Sequence, residues 1–535
     1  MLKHEKYFFY ILLLLALSIV IIPTYYITGD GGSHSYNAKI LFDYVFNNER
    51  GFYKEFYTIN RSIDPNWMSH LLLGFLLQLF PMWLADKFLQ IIYVILFSLG
   101  LRYLIRSSEP KNGFLSFLFF PFLFNLPFQQ GFYNYCLSLA FLFFTLGYYI
   151  RNKNNFENPV IQLVLSILFL LTTFAHGMPA IYAMMVIFLI WLFDNFHLLI
   201  PFNLKKITYD LSKLLLIVLP SLLLIVLFLA KRGFGTEPHA WSYRKKFIMF
   251  LQFWTSQSTR HIEKYPAMAS GILLLLFFGI LLFTRVKVNI QSRKSLGVVF
   301  LFMSIFSFIS YITSPHSIGG AGSIDIRLGF LPPLFLLLFF STKNWSEISK
   351  RIFIISAFAI SIGFLIIRFP YVLLANKIGK EIMTADKYIK DKSVVLNLHF
   401  DDWQRIKNGK DSLFQLDGSF IHFSDFIGAE KNKHLIMLMN YEAEINYFPV
   451  NWQAGKNPRE SIPNLIPGTY PPCGDIPLYE KQINRKIDYV LIQNWRKDFE
   501  NVECIQQLVS QLNEHFVMIY QSENKYIAVL QRKEN

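Results

Sequence analysis

The chain has 535 residues, of which 53% are hydrophobic, 17% aromatic and only 16% charged. That is too little charge to cover a soluble protein of this size, too much hydrophobicity for intrinsic disorder, and three cysteines are too few to staple a secreted scaffold. Much of the +15 net charge sits in short loops between apolar runs, which is the signature of cytoplasmic loops in a multi-pass membrane protein and not of a nucleic-acid surface.

Lys3 and Lys6 precede an apolar run from Phe8 to about Ile27. The run is too long for a signal-peptide core and no small-x-small cleavage site precedes Gly29, so a retained first span with a cytoplasmic N-terminus is predicted. A polar outer loop, 28–66, follows. Within it Tyr36, Ile40, Leu41 and Tyr44 recur at helical spacing and predict a short helix at the membrane surface. Further apolar segments lie at about 67–82, 86–105, 114–128, 131–150, 160–175, 179–193, 212–230, 269–284, 296–313, 328–341 and 352–371. Together they predict roughly eleven to thirteen spans.

Basic clusters at Lys205–Lys213, Arg285–Lys294 and Lys343–Arg351 read as cytoplasmic. The alternate loops, near His176, at 231–268 and at 314–326, then face outward. Arg106, Lys111, Arg151 and Lys153 also read as cytoplasmic. This requires an odd number of crossings within 67–105, a region that reads as two segments.

From about Ala375 charge rises and long apolar runs stop. Ile378–Lys390 and Glu500–Phe516 read as helical, and Ser393–Phe400, Asp488–Gln493, Phe516–Gln521 and Lys525–Gln531 read as strands. The predicted organisation is a polytopic α-helical membrane domain, 1–374, and an extracytoplasmic α/β domain, 375–535.

Chemistry-bearing residues cluster in the outer loops. Asp30 and His34 lie four residues apart, hence on one face of a helix. Asp30 there is a general base for an acceptor hydroxyl, a ligand for a divalent cation (Mg or Mn), or a helix cap. His176, between Ala175 and Gly177-Met178-Pro179, marks a broken outer helix end. The stretch Ser314–Arg327 holds His316, Asp325 and Arg327. The guanidinium fork of Arg327 suits phosphate with His316 assisting, unless an Asp325–Arg327 contact simply anchors the loop. His239, Trp241 and Arg244 suit a sugar or lipid phosphate, or an interfacial aromatic belt. The turn Phe128–Asn134 reads as structural, and Asp401-Asp402-Trp403 as a solvated loop. Cys473 and Cys504 share a compartment and are able to pair, whereas Cys136 reads as an apolar filler. There is no Walker A loop, nucleophile elbow, Rossmann fingerprint or zinc spacing.

The run Gly29-Asp30-Gly31-Gly32-Ser33-His34-Ser35-Tyr36-Asn37-Ala38, the entry Asp64-Pro65-Asn66-Trp67 and Asp325-Ile326-Arg327, set in this order of spans and domains, resemble the GT-C superfamily of membrane glycosyltransferases. In style the chain is closest to bacterial relatives of the protein O-mannosyltransferases and the lipid A aminoarabinose transferases. The resemblance implies inverting transfer of a sugar from a polyprenyl-phosphate carrier to a lipid, glycan or protein acceptor on the outer face of a bacterial cell membrane. It implies Asp30 as base or metal contact, and Arg327 with His316 and His176 at the donor phosphate. Asp30 is followed by Gly31 where family members often carry an acidic pair; His34 would then supply the missing contact. A membrane polysaccharide polymerase or ligase handles similar substrates. A transporter or flippase would need charges deep within several spans, and most spans here are uniformly apolar.

Overall fold

In a computed structural model of the chain, residues 5–46, 50–62, 64–196, 204–232, 236–237, 241–284, 291–318, 322–400, 419–462, 474–495 and 501–534 are described. His239, Cys473 and the Asp401-Asp402-Trp403 run lie outside the described residues.

The helices are α1 (Glu5–Ile21), α2 (Gly31–Phe46), α3 (Met68–Leu79), α4 (Met82–Ser108), α5 (Tyr133–Asn152), α6 (Pro159–Ala175) and α7 (Gly177–Asp194). There follow α8 (Leu204–Arg232), α9 (Tyr243–Leu251), α10 (Lys264–Thr284), α11 (Gln291–Thr313), α12 (Leu331–Ser341) and α13 (Glu347–Met383). Among the described residues eight stretches are long and apolar enough to cross a membrane: α4, α5, α7, α8, α10, α11, α12 with the turn before it, and α13. Helices α1 and α6, each of 17 residues, pack alongside them: Glu5 of α1 meets Arg102 near one end of α4 and the Ile21 carbonyl accepts from Lys87 near the other, while α6 lies against α5.

One end of the bundle is basic and stitched by polar contacts. Arg102 pairs with Glu5 at 2.6 Å, Arg151 donates to the Ser107 hydroxyl at 3.1 Å, Lys153 meets Asp194, and Lys213 meets Glu157. Asn112 donates there to the Ser341 and Lys343 carbonyls at 2.9 and 2.7 Å.

Two apolar segments differ from the α-helical spans that their composition predicts. The stretch 114–128 is not an α-helix: Pro110–Phe119 and Pro121–Phe124 are 3-10 turns, followed by the short helix Leu126–Gln129. Pro110, Pro121 and Pro127 each remove a backbone donor and break α-helical continuity. At about 2.0 Å rise per residue, 3-10 geometry lengthens the segment enough to carry it from the basic end to the opposite one. It climbs alongside α13, with the Ser361 hydroxyl reaching the Phe117 carbonyl at 3.3 Å and Arg368 the Pro121 carbonyl at 3.1 Å. Helix α3 does not cross at all. His70 near its start meets Glu442 at 2.9 Å, and the Gln78 carbonyl near its end accepts from Lys431, so both ends touch the C-terminal domain. The region 67–105 therefore crosses once, through α4, as the basic clusters require.

The C-terminal domain holds a five-stranded sheet of β1 (Ser393–His399), β2 (Leu435–Met437), β3 (Tyr489–Gln493), β4 (Phe516–Gln521) and β5 (Ile527–Arg532), in the order β2-β1-β3-β5-β4. β1 is parallel to β2 and β3, and β5 is antiparallel to β3 and β4. The four predicted strands are all present, and the second predicted helix is Glu503–His515. The first, Ile378–Lys390, is instead the end of α13, which runs unbroken from the bundle into the domain, and a 3-10 turn at Thr384–Tyr388. Cys504 is disulfide-bonded and Cys136 is a buried free thiol.

Helix α2 is not a surface helix open to water. Nearly every residue from Gly31 to Leu41 is buried between bundle and domain. The Tyr36 hydroxyl donates to the Leu435 carbonyl at 2.8 Å and accepts from the Met437 amide at 2.9 Å. Asn37 and Asn440 exchange a reciprocal amide pair at 2.8 and 2.9 Å. Tyr57–Ile59 pairs antiparallel with Val450–Trp452. The loop between α1 and α3 thus clamps the C-terminal domain onto the bundle.

Candidate active site

A cavity of about 210 Å³ lies where α2, the starts of α3, α5 and α7, the loop before α12 and the segment after β2 converge. Asp30, His34, Tyr133, His176, Arg327, Tyr441, Tyr447 and Phe448 are among its walls.

Asp30 is set by backbone pairing. The Gly29 and Asp30 amides donate to the Gln129 and Gln130 carbonyls at 2.8 and 3.0 Å. Gly131 beside them has φ +86, and a Cβ on it would stand 2.6 Å from the Asp30 nitrogen, so only glycine fits. The turn Phe128–Asn134 is thus the template for the catalytic-candidate loop. The Asp30 carboxyl accepts a hydrogen bond from the Tyr441 hydroxyl. Burial pushes it up to about 6, with Glu442 adding to the rise while His34, the Tyr441 hydroxyl and Arg327 resist it.

His34 and His70 flank Glu442, which is wholly buried. His34 Nδ1 contacts one Glu442 oxygen, and His70 Nε2 meets the other at 2.9 Å. His34 Nε2 reaches the Gly131 carbonyl at 2.9 Å. Burial disfavours charge on His34, but Glu442 outweighs it and raises the ring to about 9. Burial wins at His70, whose value is lowered. Burial alone would raise Glu442, yet the two imidazoles bring it down to about 2. The trio is an imidazolium, a carboxylate and a neutral imidazole. Their ligand atoms lie within 4.8 Å of one another, and they are the residues that could hold a cation.

Arg327 stacks on Phe132 at 4.2 Å, and one terminal nitrogen reaches the Gly322 carbonyl. Its Nε is buried with no partner among the described residues. His176 caps α7, its Nδ1 accepting the Met178 amide at 3.1 Å, which places the neutral ring's proton on Nε2. Burial, with Arg327 nearby, holds the ring well below its ordinary value.

The remaining predicted residues lie elsewhere. Asp325 is buried against Lys246 at 3.8 Å and His316 at 3.5 Å, and no Asp325–Arg327 pair forms. Lys246 in turn donates to the Ser314 carbonyl at 2.6 Å, so Asp325 anchors the loop to α9. Neither His316 nor Asp325 is a cavity wall. Trp241 packs edge-on against Trp254 at 5.1 Å, and Arg244 is exposed on α9; neither reaches the cavity.

No family model matches the chain, and no curated protein matches it. Solved structures do. The crystal structure of ArnT from Cupriavidus metallidurans in the apo state aligns with TM-score 0.53 and 10% identity, over 98% of this chain and 97% of that one. A crystal structure of the Archaeoglobus fulgidus oligosaccharyltransferase, a complex with Zn and sulfate, aligns with TM-score 0.39 and 10% identity, over 97% of this chain and 72% of that one. The likeness to ArnT shows the fold alone: a bundle of long apolar helices followed by a sheet-containing C-terminal domain.

Proposed function

We propose that this protein is an inverting glycosyltransferase that moves a sugar from a polyprenyl-phosphate-linked donor to an acceptor hydroxyl at the outer face of a bacterial inner membrane. The observation that carries the reading is the convergence of Asp30 and Arg327 on one cavity between the membrane bundle and the C-terminal domain. The donor is already activated, so the site needs a base, a counter-charge for the leaving phosphate, and positioning.

Asp30, with its carboxyl near 6, is ionised at neutral pH and takes the acceptor's proton. The acceptor oxygen attacks the anomeric carbon opposite the phosphate, and the carbon–oxygen bond to the phosphate breaks. Arg327, through its unpartnered Nε, and His176, through its Nε2 proton, receive the leaving group's charge. Tyr447, Phe448 and Phe132 supply flat faces for sugar rings.

A divalent cation, if bound, belongs at His34, His70 and Glu442 and not at Asp30. Two imidazoles and one carboxylate suit zinc better than magnesium or manganese. Such an ion would add positive charge beside the departing phosphate.

The basic end of the bundle lies opposite the cavity, which supports a cytoplasmic N-terminus and an extracytoplasmic C-terminal domain. The partners are then the lipid-linked donor, bilayer lipids and an acceptor lipid, glycan or protein.

The test is transfer of labelled sugar from a panel of polyprenyl-phosphate donors by purified wild type and Asp30→Asn in detergent. Turnover by wild type, reduced about 10²–10⁴-fold in the variant, supports the reading. Equal turnover by both removes Asp30 as the base.

A further inference from the structure

Asp86 stands on the second turn of α4, buried, and forms no ion pair among the described residues. It is not a wall of the cavity. Both of its oxygens are acceptors: Oδ1 takes the Tyr133 hydroxyl at 3.1 Å, and Oδ2 takes the Gln90 amide nitrogen at 2.8 Å. The same Gln90 nitrogen reaches the Tyr26 carbonyl at 3.1 Å and the Tyr133 oxygen at 2.9 Å. The Tyr26 carbonyl can only accept and Asp86 does so here, which fixes the face that Gln90 turns to them and leaves its Oε1 buried without a partner.

Tyr133 has one hydroxyl proton. The two Gln90 amide protons serve the Tyr26 carbonyl and Asp86, and with Asp86 accepting the Tyr133 proton the Thr28 hydroxyl at 2.8 Å becomes a donor to the Tyr133 oxygen. The chain of bonds runs from Thr28 to Tyr133 to Asp86. Its far end lies under the Asp30 turn. A Cβ on Gly31, the next residue after Asp30, would stand 2.5 Å from the Thr28 hydroxyl and 2.8 Å from the Tyr133 hydroxyl. The Gly29–Gly32 turn therefore rests on these two oxygens, and their orientation is set from Asp86.

We propose that Asp86 is a positioning residue for Asp30, acting through Tyr133 and Thr28. An uncharged amide at this place cannot do the same. If its oxygen faces Tyr133, its NH₂ meets the NH₂ of Gln90; if it is reversed, it drives the Tyr133 proton onto Thr28. Either arrangement shifts the support beneath Asp30.

The role in catalysis rests on the glycosyltransferase reading; the role in ordering the turn does not. Both are tested on the purified full chain as wild type, Asp86→Asn and Tyr133→Phe, the last keeping the ring and removing only the hydroxyl. Amide hydrogen exchange is measured across 28–34. Exchange there about tenfold faster in both variants, with α5 and α6 unchanged, is the expected result. Unchanged protection of 28–34 in either variant overturns the proposal, whether or not any transfer is detected. In the transfer assay, kcat falls about tenfold or more in each variant with donor KM unmoved, and the double variant loses no more than the worse single one. Additive losses, or a loss confined to KM, also overturn it. Absence of transfer by wild type with every donor counts against the glycosyltransferase reading and leaves the exchange result to decide the positioning role. Should Asp86→Asn fail to fold, Tyr133→Phe decides alone.

Discussion

A Cβ placed on Gly32 would stand 2.1 Å from the carbonyl oxygen of His422, so α2 and the C-terminal domain meet backbone to backbone at the head of the helix that carries His34. The obstacle is main chain and cannot rotate away. Gly32→Ala is therefore expected to cost about 1–3 kcal/mol through overpacking and to lower Tm. Transfer falls with it, because Tyr441 reaches the cavity, and Glu442 reaches His34, from the domain side. Gly51→Ala, where nothing lies within 4 Å of the added carbon, changes neither quantity and serves as the control. Thermal unfolding of both variants in detergent is the measurement.

Much of the fold was legible because its signals are local. Short apolar runs rich in Val and Ile marked the strands, and the apolar lengths marked most spans. The failures share a cause. The stretch 114–128 is as apolar as a span, and only Pro110, Pro121 and Pro127 betray its 3-10 form. Helix α3 packs one face against α2 and α4 and leaves Leu71, Phe75 and Leu79 exposed on another, so its apolar run does not mark a crossing. In the site, Asp30, His34, His176 and Arg327 were found from outer-loop position. Glu442 was not, since it lies 372 residues from His70 and in no motif; only the fold brings them together. His70 carried one readable clue, an ionisable residue inside an apolar run. Asp325 and His316 stand apart from the cavity walls, because adjacency to Arg327 in sequence does not turn their side chains toward the same cavity; they face Lys246 and each other.

The Asp30 carboxyl, raised from its ordinary 3.8 to about 6, predicts opposite effects on rate and stability. As the base it works ionised, so kcat/KM rises with pH through about 6, and Asp30→Asn abolishes that limb. For stability the sign reverses. A raised carboxyl favours folding fully below its unfolded value, and that contribution is lost as pH rises through about 6. Asp30→Asn is therefore expected to be more stable than wild type at pH 7–8, by on the order of 1–3 kcal/mol, while being inactive. Melting curves at pH 4 and pH 8 check this: the variant's advantage should appear only at the higher pH.

Glu442 predicts the contrary pattern. Its depressed carboxyl contributes stability above its ordinary 4.5, and that contribution is lost as pH falls toward about 2. His34, raised to about 9, contributes fully below its ordinary 6.5 and loses that contribution as pH climbs through about 9. The two are one interaction, strongest between these ordinary values. Glu442→Gln leaves a buried imidazolium without its partner and is expected to cost about 3–5 kcal/mol near pH 6. Both the acid and the alkaline decline in Tm should flatten in the variant. Zinc content of the purified protein, measured by mass spectrometry, should fall in Glu442→Gln relative to wild type if the trio holds an ion.

Arg327 and Arg244 separate a cavity residue from one that only the sequence suggested. Arg327→Lys keeps the charge but loses Nε, a donor buried without a partner among the described residues, and with it the planar fork that suits two phosphate oxygens. Donor KM is expected to rise about tenfold, equivalent to about 1.4 kcal/mol, with a smaller fall in kcat. The stack on Phe132 at 4.2 Å weakens as well, so the lysine side chain is also less well held. Arg244→Ala, on the exposed side of α9 and away from the cavity walls, is expected to leave donor KM and kcat at wild-type values. Steady-state kinetics with one polyprenyl-phosphate donor decide between them. A raised KM in Arg244→Ala with none in Arg327→Lys would move the phosphate contact to the α9 loop.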